Sequence, residues 1–177
     1  MLKRGCFVIA CWKNAARLFA FAGLLALAFP AQAFEYASNE GAYSVNFPEA
    51  PSETVRDIGP NKLIAHAMRV GDVIYVAAHG DFVDKIKPDI EMNANIDNYA
   101  KEVHAKVTSK LPFTVQRGER TLEGIQFVYD GERAAGKGIV VVDGTSSYLV
   151  AASSIKPAHD EAAVNAFLNS FRLEPKK

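Results

Sequence analysis

Three pairs of glycine and aspartate constrain this chain more firmly than anything else in its sequence. Asp130-Gly131 separates the run IQFVY from ERAAGKGIVVV, and Asp143-Gly144 separates that run from TSSYLVAAS. Asp-Gly between strand-like runs is the composition of a two-residue type I′ turn, which needs positive φ at both central positions. From Phe113 onward the chain therefore reads as a meander of three consecutive antiparallel strands. Ile139 to Val142 do not alternate with polar residues, the pattern of a central strand covered on both faces. Upstream, Gly71-Asp72 divides KLIAHAMRV from VIYVAAHGDF, a pair with glycine first that suits a hairpin apolar on both faces. Earlier still, GAYSVNFP places Tyr43, Val45 and Phe47 on one face of a strand that Pro48 ends.

Two segments carry a helical period instead. In DIEMNANIDNYAKEVHAKVTSK, Ile96, Tyr99, Val103 and Val107 recur at steps of three and four. Asp89, Glu91 and Asp97 lie in its first half and Lys101, Lys106 and Lys110 in its second, which complements the helix dipole. PAHDEAAVNAFLNSF opens with Pro157, carries Asp160 and Glu161 early, and lines up Ala163, Val164, Phe167, Leu168 and Phe171 on one stripe. The expected fold is α+β: one antiparallel sheet with helices packed on its faces. The order YSVNFP, VIYVA, a central helix, LEGIQF, GTSSYLVAAS and FLNSFRL resembles small exported bacterial proteins of the PsbP-like fold, named after an extrinsic subunit of photosystem II. That resemblance implies an α/β/α sandwich and a binding or assembly accessory, and it carries no site residue with it.

Residues 18 to 29 are apolar without a charge, too short for a bilayer of about 30 Å, which takes roughly 20 helical residues. Lys3, Arg4, Lys13 and Arg17 precede them, and Pro30 with Ala31-Gln32-Ala33 follows. This is the order of a secretory signal cut after Ala33, so the working protein is expected to begin at Phe34, exported to the periplasm or beyond. The leader takes four of the 20 basic residues and none of the 20 acidic ones, so residues 34–177 are net acidic. A nucleic-acid partner would need a clustered basic surface, and none is visible. Cys6 and Cys11 leave with the leader, which removes disulfides, thiolate metal sites and cysteine nucleophiles. No linker or repeat divides the remainder, so one domain spans residues 34–177. A membrane enters only if the leader is retained.

The search for chemistry returns few candidates, and no cofactor is expected. GERAAGKG contains glycine and lysine but lacks the strand, loop and helix of a phosphate loop. Ser146, Ser147, Ser153 and Ser154 have the atoms of nucleophiles, with His104 and His159 as the histidines that a fold would have to bring to them. If Gly71-Asp72 makes a two-residue turn, Val70 faces Val73, His66 faces Ala77, Ile64 faces His79 and Lys62 faces Asp81. His66, His79 and Asp81 then share one face, a nitrogen and oxygen set suited to zinc or copper. On the other reading the histidines are hydrogen-bonded within the fold and Asp81 pairs with Lys62. The aromatic set, including Tyr75, Phe82, Phe127 and Tyr148, reads mainly as core packing, with the lining of an apolar cleft between sheet and helix as the second reading. Function is read accordingly as a non-catalytic exported accessory or binding domain of the cell envelope, with an unknown protein or small ligand as partner. The alternative is a periplasmic enzyme or metal-binding protein built on the His/Asp cluster.

Overall fold

A computed structural model describes residues 33–157 and 160–176. The apolar run of residues 18–29, Cys6, Cys11 and His159 lie outside the described residues, and the expected signal with its cut after Ala33 lies at least partly outside them. The described chain runs β1 (Phe34–Ser38), β2 (Tyr43–Phe47), β3 (Ser52–Ile58), β4 (Asn61–Val70), β5 (Val73–Asp81), α1 (Pro88–Glu102), β6 (Ala105–Arg117), β7 (Arg120–Gly131), β8 (Ala134–Asp143), β9 (Ser146–Ile155), α2 (Glu161–Asn169) and β10 (Arg172–Leu173). Seven strands form one antiparallel sheet in the order β3-β4-β5-β9-β8-β7-β6, and three form a second in the order β1-β2-β10.

The expectation of a single sheet sandwiched by helices is corrected. The described residues are mostly β, with two sheets and only two short helices among them. One face of the large sheet is buried beneath the small sheet and α2, so a sheet takes the place expected of a helix. Tyr43, Val45 and Phe47 of β2 point into that interface at 0–1% exposure, beside Tyr75, Ile139, Val141, Tyr148, Val150 and Phe167. On the opposite face α1 seats Met92, Ile96 and Tyr99 against Phe127, Tyr129, Val140, Val142 and Ala151. Residues 139–142 accordingly alternate between two cores, which is why all four are apolar.

Positive-φ glycines organise the hairpins. Gly59, Gly71, Gly118 and Gly144 each open a two-residue loop, with φ of 62, 56, 59 and 68°. The residues flanking those loops pair directly: Ile58 with Asn61, Val70 with Val73, Arg117 with Arg120, and Asp143 with Ser146. Gly71-Asp72 behaves as its sequence indicates. Asp143-Gly144 does not form a type I′ turn, because Asp143 stays in the strand and the loop is Gly144-Thr145. Only its first residue has positive φ, the pattern of a loop with glycine first. Asp130-Gly131 also lies within β7, and its loop falls beyond it: Asp130 pairs with Ala135. Gly131 is needed for a different reason, since a Cβ there would lie 2.7 Å from the His104 carbonyl oxygen.

The central helix is shorter than its period suggests. His104 adopts φ 52°, a left-handed residue just past the helix end, and the chain leaves as β6. From Ala105 to Lys110 burial alternates residue by residue, so Val107 belongs to a strand face and Lys106 and Lys110 to the opposite one. Lys101 alone remains in the last turn to complement the dipole. The C-terminal helix starts only at Glu161, where the Asp160 side chain accepts from the Ala163 N–H at 2.9 Å as its N-cap.

Candidate functional site

Helix α1 packs on β6, β7, β8 and the near side of β9. The same face of β3, β4 and β5 becomes the floor of a groove of about 760 Å³ running alongside the helix. Its construction follows from the register. Leu63 lies opposite Gly80, Ala65 opposite Ala78 and Ala67 opposite Val76. Beyond β5, Ala78 meets Leu149 and Ile74 meets Ser153. Alanine and glycine at these crossings keep the floor low while leaving it apolar. Thr54 and Arg56 of β3 form the outer rim, opposite Ala65 and Leu63.

The inner wall has a different chemistry. Glu91, Asn95, Asn98 and Glu102 recur at steps of four, three and four, so they form one polar stripe of α1 beside its buried apolar stripe, and all four line the groove. Asn95 Nδ2 donates to Ser147 Oγ at 2.7 Å and to Glu91 Oε1 at 3.2 Å, which ties the helix to β9. Near the other end Tyr99 and Ser153 converge on Tyr129. The Tyr129 hydroxyl donates to the Ala152 carbonyl at 3.0 Å, and it lies 2.6 Å from Ser153 Oγ and 3.2 Å from the Tyr99 hydroxyl. Burial raises the pKa of both phenols, so they stay protonated as donors. The groove therefore offers an apolar surface below and hydrogen-bonding groups along one side.

The sequence candidates fall elsewhere. The β4–β5 register puts His66 opposite Ala77, Ile64 opposite His79 and Lys62 opposite Asp81, so His66, His79 and Asp81 share the face beneath the small sheet. Both imidazoles are 2% exposed. His66 Nε2 lies 3.0 Å from Glu53 Oε2 of β3, and its ring stacks on Tyr36 at 4.1 Å between centroids. His79 Nε2 lies 3.8 Å from Asp81 Oδ2, and its ring meets Tyr43 edge-on at 5.6 Å. Burial lowers the pKa of His79, against the opposing pull of Asp81 and Glu40. Asp81 accepts from Ser146 Oγ at 2.6 Å, while Lys62 pairs with Glu40 at 2.8 Å rather than with Asp81. Among the described residues no group of three or more His, Cys, Asp or Glu side chains is placed to hold a metal ion.

Each serine also has a partner. Ser146 accepts from Lys176 Nζ at 2.8 Å as well as donating to Asp81, Ser147 accepts from Asn95, Ser153 bonds Tyr129, and Ser154 Oγ accepts from the Asp160 N–H at 3.1 Å. His104 is exposed at the end of α1. In GERAAGKG, Lys137 reaches Glu161 at 2.5 Å and Asn165 at 3.1 Å on α2, and the glycines serve packing. A Cβ at Gly136 would lie 2.1 Å from the Ala152 oxygen and 2.6 Å from the Tyr129 hydroxyl, and one at Gly138 would lie 2.4 Å from the Phe127 ring.

An apolar cleft between sheet and helix is what the sequence suggests, and the groove lies between sheet and helix, but of Tyr75, Phe82, Phe127 and Tyr148 only Phe82 lines it. The hairpin carries a better signal for its place. A hairpin apolar on both faces needs cover on both, and α1 is too short and too far along the sheet to supply the second. Among the described residues no helix is long and apolar enough to cross a membrane. No protein-family model matches the chain, and no curated protein matches it.

Proposed function

We propose that this protein is an exported binding domain of the cell envelope that holds a small amphipathic molecule in the groove beside α1. The observation that carries the reading is the pairing of an alanine-rich apolar floor with a polar helical wall around about 760 Å³ of space. Sites for small molecules commonly enclose 300–1,000 Å³, with apolar linings and a few placed polar groups. A ligand lying there would rest an apolar body on Ala65, Ala67 and Val76 and turn hydrogen-bonding groups toward Asn95, Asn98 and Glu102. Export rests on the order of cations, apolar run and Ala-Gln-Ala at the start of the chain.

The test is titration with the neutral fluorescent probe N-phenyl-1-naphthylamine, comparing the wild type with Ala65→Phe. Ala65 is half-buried in the floor, and a phenyl ring there fills the groove without entering either core. Saturable enhancement in the wild type and its loss in the variant, with the thermal midpoint kept, is the expected result. Equal enhancement in both proteins would place the probe elsewhere and remove the groove reading.

A further inference from the structure

The large sheet has two edges, and they differ in how they are guarded. The β6 edge carries Pro112, which has no N–H to offer, a register shift between Val107 and Ser109, and exposed Lys106 and Lys110. These are the usual devices against strand addition. The β3 edge has no proline, lysine or bulge and no strand paired to its outer side among the described residues, and its charges are those of Glu53, Arg56 and Asp57. Its seven residues pair with β4 in unbroken register from Ser52–Ala67 to Ile58–Asn61. Ser52 to Asp57 are all exposed, and Val55 leaves 46% of its surface in water. A regular open edge displaying an apolar side chain is a template for another strand.

We propose that β3 is a docking edge for an extended segment of a partner protein that carries a basic residue on each side of an apolar one. The side chains of β3 set that chemistry. Glu53, Val55 and Asp57 share one face; Glu53 touches His66 through Oε2 yet keeps more than half of its side chain in water, and the spacing of two residues, about 7 Å, matches the alternation of any strand laid alongside. An apolar residue opposite Val55 then brings its two same-face neighbours opposite Glu53 and Asp57, where opposite charge is favourable and like charge is not. A second copy of this chain does not meet the requirement. Pairing β3 with β3 antiparallel about Val55 sets Glu53 against the second copy's Asp57 at both ends, acid against acid. Main-chain hydrogen bonds supply the affinity in such strand addition and the alternate side chains the selectivity.

The probe is the capped heptapeptide Thr-Lys-Thr-Val-Thr-Lys-Thr, titrated into the full domain with amide hydrogen exchange read by NMR. The expected result is slowed exchange in β3, with β6 unaffected. Three changes should each weaken binding by about tenfold or more, some 1.4 kcal/mol: N-methyl groups on the peptide amides, glutamate for both peptide lysines, or Val55→Lys in the protein. Val55→Lys alters an exposed edge residue, so its fold is checked by unchanged exchange in β8 and β9. No change in β3 up to about 1 mM peptide would overturn the proposal. So would equal binding of the N-methylated peptide, which would mean no strand is added, or equal binding of the glutamate peptide, which would remove the basic specification.

Discussion

Replacing Arg117 by methionine is the sharpest perturbation of how the two sheets are held together. Arg117 is 5% exposed on β6, and its guanidinium reaches three other parts of the chain. Nη1 donates to Asp143 Oδ2 at 2.5 Å on β8, while Nη2 donates to the Tyr148 hydroxyl at 2.8 Å on β9 and to the Ala42 carbonyl at 3.2 Å in the β1–β2 turn. The Tyr148 hydroxyl in turn donates to the Gly41 carbonyl at 2.9 Å, so the cluster pins the small sheet to the large one. Removing one partner of a buried ion pair costs about 3–5 kcal/mol, because the other charge is left uncompensated. Here Arg120 still holds Asp143 Oδ1 at 2.9 Å, which puts the expected loss at the lower end, about 3 kcal/mol. For a domain of this size that is a fall of about 10 °C in thermal midpoint. Urea unfolding followed by circular dichroism measures it. The double variant Arg117→Met with Asp143→Leu should recover most of the loss, since an apolar pair of similar volume is often neutral. The acid limb supplies an independent check. Burial opposes ionisation of Asp143, but the bonds from Arg120 and Arg117 outweigh it and hold the carboxyl below its usual range. A carboxylate lowered in the folded state contributes stability above its unfolded pKa of about 4 and loses it as pH falls through the folded value. That contribution should shrink in Arg117→Met. A loss below about 1 kcal/mol, the range of an exposed pair, would refute the assignment of the cluster as the clamp between sheets.

Other perturbations separate the remaining forces. Gly136→Ala drives a Cβ into the Ala152 carbonyl and the Tyr129 hydroxyl, neither of which can swing away, so it should cost about 3 kcal/mol by chemical denaturation. Gly71→Ala meets no atom and bears only left-handed strain, so about 1 kcal/mol is expected, and equal costs at the two sites would contradict the packing role of Gly136. Asp160→Ala removes the α2 cap and should lower stability by about 1 kcal/mol, with loss of exchange protection confined to the first turn. His79 has its pKa lowered by burial, so the unfolded chain binds the proton more tightly and stability declines as pH drops below about 6.5. His79→Phe should flatten that decline in thermal midpoints between pH 7.5 and 5, and an unchanged slope would assign it to other groups.

The hairpin around Gly71-Asp72 was legible to the residue because glycine first in a two-residue loop leaves one register. The same signal stands at Gly59-Pro60 and Gly118-Glu119, so β3 and the full length of β6 and β7 were within reach of the same rule. Asp-Gly misled by one residue at 143–144, since an aspartate that ends a strand and one that begins a turn look alike until pairing is known. Val107 fitted a helical stripe by accident of spacing, and only the left-handed His104 separates the two periods. What covers the core could not be read at all. Tyr43, Val45 and Phe47 announce a buried face but not that a second sheet lies behind it, because alternation reports burial and not the identity of the cover. The groove has the same origin. The floor of Ala65, Ala67, Val76 and Ala78 reads as one more core face, and it stays open only because α1 docks on the far half of the sheet, a choice made by Phe127, Tyr129 and Val140 at a distance in sequence.

Native mass spectrometry of the protein purified gently from the cells that make it, side by side with Ala65→Phe, tests the groove most directly. The account predicts a small-molecule adduct on the wild-type protein that is absent from the variant, with both proteins folded. Wild-type protein without an adduct, or an adduct retained in full by Ala65→Phe, would contradict it.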